Sequence, residues 1–226
     1  MLYMVMDFGV SDLYAILLEH KKKNSLSLNK IRFFWEEILY CVSAVHAKNI
    51  IHLDIKPENF IMVSGVLKII DFGLAHRVQK PKDKLISPHA MPGSFSYSSP
   101  ENFRHMFDDG TLVDDYDDSS DDEDRGPTHI ELTMKADIWS IGIMLYKMVY
   151  EGMHPYGTVS GGRQSKIFVL KSKVEVELPE TKFPESVSHG LLQTLKATLR
   201  KDPRERADAT ELLTMDFLKG PLFEKF

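Results

Sequence analysis

Cysteine is nearly missing from these 226 residues. Cys41 stands alone, so no internal disulfide can close and no cysteine cage can hold zinc. A reducing compartment, nucleus or cytoplasm, is the expectation. Long hydrophobic runs are scarce too. The apolar opening at 1–6 reaches Asp7 with no basic segment ahead of it and does not read as a secretory signal. The run 138–150 is interrupted by Ser140 and Lys147 and is too short to cross a bilayer. Lys and Arg are absent from 108–124, where ten carboxylates gather. The rest of a chain whose net charge is −5 is therefore mildly basic, which falls short of a nucleic-acid-binding balance. Neither a membrane nor a nucleic acid is an expected partner.

With 43% of its residues hydrophobic, the chain is long enough for one sizeable core. Over 28–48 the residues Ile31, Phe34, Trp35, Ile38, Leu39, Val42 and Val45 recur at steps of three and four, the stripe of an amphipathic helix lying on a core. Two strand-like runs, 60–63 and 66–70, are separated only by Ser64 and Gly65, a two-residue hairpin turn. The segment 74–100 shows no period and is expected to be irregular. The acidic stretch 108–124 should repel itself and form a disordered insertion. Thr133 is placed to cap a helix whose 138–149 portion is apolar nearly all round, as for a helix buried on every side. Further helices are expected near 165–170, over 187–200 and over 210–218, the last with Asp208 and Glu211 spaced as a capping box.

The chemistry concentrates in His52-Leu53-Asp54-Ile55-Lys56-Pro57-Glu58-Asn59 and, beyond the hairpin, Asp71-Phe72-Gly73. Counting outward from the turn, Val63 faces Val66 and Asn59 faces Ile70, so Asn59 and Asp71 emerge at one end of the hairpin. A carboxylate and a carboxamide presented together suit Mg²⁺, which keeps waters and binds phosphate oxygens. Asp54 is within reach of a hydroxyl approaching such a phosphate, and Lys56 can offset charge on the moving group. These are the parts that phosphoryl transfer needs. As isolated turn residues they would mean little; the joint spacing makes the case.

The segment resembles the catalytic and metal-binding loops of the eukaryotic protein kinases, His-Arg-Asp, four residues, Asn, then Asp-Phe-Gly. The resemblance continues through Ser99-Pro100-Glu101, through Asp137-Ile138-Trp139-Ser140-Ile141-Gly142, and to Arg206 after Asp202-Pro203, with Arg206 expected to pair with Glu101. Within the kinases the chain is similar to the monopolar spindle dual-specificity family: Tyr3-Met4-Val5-Met6 leads into an acidic hinge residue, Lys56 to Phe60 reads Lys-Pro-x-Asn-Phe, and a linker insertion follows the activation segment. The fold this implies is α+β and kinase-like, a mainly helical large lobe with a small catalytic hairpin. Residues 1–9 would be the last small-lobe strand and the hinge, and 10–226 the large lobe, with the insertion at about 106–130.

The resemblance implies an ATP- and Mg²⁺-dependent protein serine/threonine kinase, with dual specificity in reach, acting on protein substrates in chromosome segregation and the spindle checkpoint, with kinetochore proteins as partners. Asp54, Lys56 and Asn59 would be catalytic, and Asn59 and Asp71 the Mg²⁺ ligands. Met6, Asp7, Gly9, Asp12, Ile61 and Asp71 would line the nucleotide site, with Asp7 and Gly9 offering backbone groups to adenine and Asp12 near the ribose. Ser94, near the catalytic Asp and Lys, would favour Ser/Thr substrates. His52 and Asp137 would be structural. Two departures stand out. Position 53 is Leu where most kinases have a phosphate-binding Arg, and most of the small lobe, with its glycine-rich loop and phosphate-anchoring lysine, has no counterpart here. Little activity from this chain alone is the expectation, and a non-catalytic binding module is the rival reading.

Overall fold

The computed structural model describes residues 7–80, 83–87, 94–102, 130–156, 176 and 178–219. Its elements include, in chain order, β1 (Ser11–Asp12), α1 (Leu13–Lys22), α2 (Leu28–His46), β2 (Ile50–Ile51), β3 (Phe60–Val63), β4 (Val66–Ile69), β5 (His76–Arg77), β6 (Leu85–Ser87), β7 (Ile130–Leu132), α3 (Lys135–Val149), α4 (Glu185–Thr198), α5 (Ala209–Leu213) and α6 (Asp216–Lys219). The expectations for 1–6, for the acidic stretch 108–124 and for 165–170 lie outside the described residues.

The stripe on α2 becomes the core face. Ile31, Phe34, Trp35, Ile38, Leu39, Val42 and Val45 are all buried, while the Ser27 hydroxyl caps the helix by accepting from the Lys30 N–H. Burying side chains of this size contributes about 1.5–3 kcal/mol each relative to exposure. Helix α3 is apolar all round and is buried all round, with every residue from Ala136 to Tyr146 enclosed. It lies between α2 and α4. At its crossing with α4, Gly142 lets the backbones approach so closely that a Cβ there would meet Thr198 Oγ1 at 2.6 Å and Thr198 Cβ at 2.7 Å.

The hairpin has the register counted from its turn. Val63 pairs with Val66 and Phe60 with Ile69, and the ladder runs one step further through the Ile70 N–H, which donates to the Asn59 carbonyl at 2.9 Å. Ser64 and Gly65 both have positive φ, 51° and 85°, the conformation that a two-residue hairpin loop requires. β1 adds to the β3 edge, making a three-stranded sheet in the order β1-β3-β4.

Several elements differ from expectation. Helix α1 was not anticipated: Leu13 is buried while Tyr14 and Leu18 are exposed, so its apolar residues form no single stripe, and its start is set by Asp12 Oδ1 accepting from the Ala15 N–H at 2.8 Å. The 74–100 segment contains β5 and β6, which pair with β2 and β7 respectively. Thr133 Oγ1 accepts from the Lys135 N–H at 3.2 Å but stands one residue ahead of the cap position, which Met134 occupies. The capping box on Asp208 and Glu211 is present, yet the helix it opens stops at Leu213 and a separate short helix, α6, follows.

Candidate active site

Helix α3 anchors the site from below. The Asp137 carboxylate is buried and accepts three hydrogen bonds, from the His52 N–H at 2.8 Å, the Leu53 N–H at 2.9 Å and His46 Nε2 at 2.9 Å. The Leu53 bond holds a residue whose φ is 66°, a left-handed conformation that costs a branched side chain of order 1–2 kcal/mol. His52 is fully buried and its Nε2 lies 3.2 Å from the Ile70 carbonyl. A carbonyl only accepts, so Nε2 carries the proton and Nδ1 accepts the Asp54 N–H. The ring packs on Phe72 with centroids 5.0 Å apart. Both ring nitrogens are thus engaged in holding backbone.

Asp54 stands at the opening of this loop. Its Oδ2 accepts from Lys56 Nζ at 2.7 Å and from Asn59 Nδ2 at 3.1 Å, and its Oδ1 accepts from the Ser94 N–H at 3.1 Å. Burial by itself would raise the Asp54 carboxyl, but the Lys56 ammonium and the Ser94 hydrogen bonds outweigh it and hold the group below its ordinary range. Asn59 also donates from Nδ2 to the Asp54 carbonyl at 2.8 Å. Both partners of that nitrogen are acceptors, so the carboxamide oxygen is the atom left for another ligand. Asp71 follows Ile70 out of the ladder, is exposed, has φ 62° and accepts from the Gly73 N–H at 3.2 Å.

The loop thus collects Asp54, Lys56 and Asn59 into one hydrogen-bonded unit, with Asp71 at the same end of the hairpin and not bonded to it. The donor set on offer to a cation is one carboxylate and one carboxamide, all oxygen, which fits Mg²⁺. Among the described residues no group of three or more His, Cys, Asp or Glu could hold a metal by itself, so a cation here must bring its own phosphate and water ligands.

Of the residues expected to line a nucleotide site, Asp12 and Ile61 lie on β1 and β3, and Asp7 and Gly9 lie just ahead of β1. Asp12 pairs with Ile61, and Gly9 lies so close that a Cβ there would sit 3.0 Å from Ile61 Cβ. Asp7 forms an exposed ion pair with Lys68, and Asp12 gives one carboxylate oxygen to the start of α1. Met6 lies outside the described residues.

Two features were not foreseen. His46, at the end of the α2 stripe, supplies the third bond to Asp137; its only sequence signal is a histidine on the apolar side of a helix. Leu53 packs with Leu85 against Leu132 and Ala136, so the position where most kinases have an arginine carries an apolar contact between the Asp54 loop, β6 and β7. At the start of α3, Arg206 forms the expected pair with Glu101, with Nη1–Oε1 at 2.7 Å and Nη2–Oε2 at 2.8 Å, both residues buried.

A mainly helical lobe whose one hairpin carries these polar residues to a common end defines a class, the large lobe of a protein kinase. The family comparison agrees with it: the model described as "Protein kinase domain" matches residues 1–121 and 125–218. The chain belongs to the protein kinase domain family. It is 33% identical over 217 residues to the "Probable serine/threonine-protein kinase mps1" of Dictyostelium discoideum, covering 96% of this chain and 20% of that protein. It is 31% identical to the "Serine/threonine-protein kinase MPS1" of Saccharomyces cerevisiae, covering 97% of this chain and 27% of the relative. Against the "Dual specificity protein kinase TTK" of Mus musculus it is 32% identical, covering 96% and 23% respectively. The chain thus spans a quarter or so of the length of these relatives. Among the described residues, no helix is long and apolar enough to cross a membrane.

Proposed function

We propose that this chain is the large-lobe part of an ATP- and Mg²⁺-dependent protein kinase that phosphorylates serine and threonine hydroxyls of protein substrates. The observation that carries the reading is the Asp54 carboxylate, ionised and oriented by three donors, Lys56 and Asn59 of its own loop and Ser94, 40 residues further on. Such a group positions a substrate hydroxyl and accepts its proton as the new oxygen–phosphorus bond forms. Because the Lys56 pairing keeps it a weak base, orientation is its main contribution and proton uptake comes late. Lys56 fixes Oδ2 and places a cation by the transferred charge. Asn59, through its oxygen, and Asp71 would hold Mg²⁺; when bound, Mg²⁺ with ATP supplies the transferable phosphoryl group and neutralises its oxygens. Asp7, Gly9, Asp12 and Ile61 would form the nucleotide's other wall.

Similarity to relatives named as dual-specificity or mps1-type kinases extends the proposal to spindle-checkpoint signalling, in the nucleus or cytoplasm, with kinetochore proteins among the partners. The test is in two parts on the purified 226-residue protein. Millimolar ATP with Mg²⁺ should raise its melting temperature, and EDTA should remove the shift. A complementary segment bearing a glycine-rich loop and a strand lysine, supplied in cis, should then give phosphotransfer that Asp54→Asn lowers by about a thousandfold or more. No Mg²⁺-dependent shift, with no transfer in the completed protein, favours a non-catalytic lobe.

A further inference from the structure

The strand that leads to Asp71 is an edge strand, since β4 ends the sheet in the order β1-β3-β4. Antiparallel ladders alternate hydrogen-bonded and non-hydrogen-bonded pairs. The Ile70 N–H donates to the Asn59 carbonyl, so counting back through the register makes Ile61–Lys68 and Val63–Val66 the bonded pairs. Leu67 and Ile69 therefore turn their N–H and C=O groups outward, to the side where a further strand would lie. An edge left in that condition frays or recruits another chain.

Helix α2 takes the place of that strand. Glu37 Oε2 accepts from the Leu67 N–H at 2.8 Å, and Cys41 Sγ donates to the Leu67 carbonyl at 3.2 Å. The two side chains are one helical turn apart and share a face, so together they satisfy both backbone groups of one residue. Burial pushes the Cys41 thiol up to about 11, against the pull of the Ile69 N–H and with help from the Glu37 carboxylate. At neutral pH the sulfur thus has its proton to donate. Two residues beyond Ile69 the chain reaches Asp71. Asn59 is fixed by the Asp54 loop through Nδ2, and that loop is tied to α2 because His46 and the His52 and Leu53 N–H groups share the Asp137 carboxylate. One helix therefore supports both partners, Asn59 from its His46 end and Asp71 through Glu37 and Cys41.

We propose that Glu37 and Cys41 are positioning residues, which clamp β4 to α2 and so set the level at which Asp71 leaves the hairpin relative to Asn59. The inference rests on the reading of Asn59 and Asp71 as a Mg²⁺ pair, and it gives neither Glu37 nor Cys41 a contact with metal or nucleotide.

Amide hydrogen exchange on the 226-residue protein, without nucleotide, tests the clamp. In Glu37→Leu the Leu67 amide should exchange about tenfold faster or more, and the Ile70 amide, which faces the opposite strand, should accelerate with it. Glu37→Gln keeps an acceptor oxygen and should stay near the parent rates. Cys41→Ala, a smaller change, is read in the same way and should be rescued by Cys41→Ser. Acceleration at Leu67 with Ile70 at its parent rate overturns the proposal, because the bond is then merely local; so does equal acceleration at Ile70 in Asp208→Ala, a remote change that lowers stability without touching β4. A Mg²⁺ titration of the ATP-dependent melting shift reads the consequence. Glu37→Leu should need about tenfold more Mg²⁺ for half the shift, and Asp208→Ala no more than the parent. A parent protein with no Mg²⁺-dependent shift defeats the reading of the site and this inference with it, whereas a parent shift that Glu37→Leu reproduces at the same Mg²⁺ concentration defeats this inference alone.

Discussion

Arg206 and Asp54 are both charged, both held by several partners, and opposite in what they leave for others. All five guanidinium N–H groups of Arg206 have protein acceptors: Nε donates to the Arg200 carbonyl, Nη1 to Glu101 and the Lys135 carbonyl, Nη2 to Glu101 and the Lys201 carbonyl. Its plane also lies 5.0 Å from the Trp139 ring centre. That set is closed. Asp54 accepts three hydrogen bonds where a carboxylate offers about four lone-pair sites, Asn59 keeps its oxygen, and Asp71 is exposed. The difference separates scaffold from proposed site: buried polar groups that use up their valences hold the fold, and those left with one to give are the ones proposed to meet a ligand.

The sharpest way to break that contrast is Arg206→Met, which strands the Glu101 carboxylate in the interior. A loss of about 3–5 kcal/mol is expected, read as a drop of roughly 10 °C in melting temperature, with nucleotide binding falling alongside. Gly142→Ala comes next. Alanine favours a helix over glycine by about 1 kcal/mol, but the contact with Thr198 makes the net effect a destabilisation of about 1–3 kcal/mol, measurable by urea titration. Asp208→Ala removes one arm of the capping box and should cost about 1 kcal/mol.

Acid titration probes the site more gently. The folded Asp54 carboxyl lies below its ordinary value of 3.8, so it adds stability that is fully present above that value and is lost as pH falls through the lower, folded one. Melting curves from pH 6 downward should fall below about pH 4, and Asp54→Asn should remove part of the slope. The smallest stability effect belongs to Asp71→Asn, within about 0.5 kcal/mol, because an exposed asparagine tolerates positive φ. Yet that variant should lose the Mg²⁺-dependent nucleotide shift altogether, and a retained shift would remove Asp71 from the proposed ligand set.

What the sequence made legible follows from range. The Ser64-Gly65 turn determined the hairpin register, the 3.6-residue period gave the buried face of α2, and the all-round apolar run of α3 announced a buried pillar. Each depends on neighbours within a turn or two. The Asp54–Lys56–Asn59 unit was legible for the same reason, being contained in one loop. The pairings of β2 with β5 and of β6 with β7 were not, since strands of two or three residues carry no period and find partners about 26 and 45 positions away. Helix α1 escaped because its apolar residues are divided between core and surface. The Glu101–Arg206 pair, 105 residues apart, was expected only through the family resemblance.

The leucine at position 53 has a thermodynamic consequence. Its contact with Leu85, Leu132 and Ala136 ties β6 to the Asp54 loop through carbon surface rather than through an ion pair. Such a tie is indifferent to the Debye length and slackens on cooling, so this stretch of the lobe is fastened more firmly in the warm than in the cold.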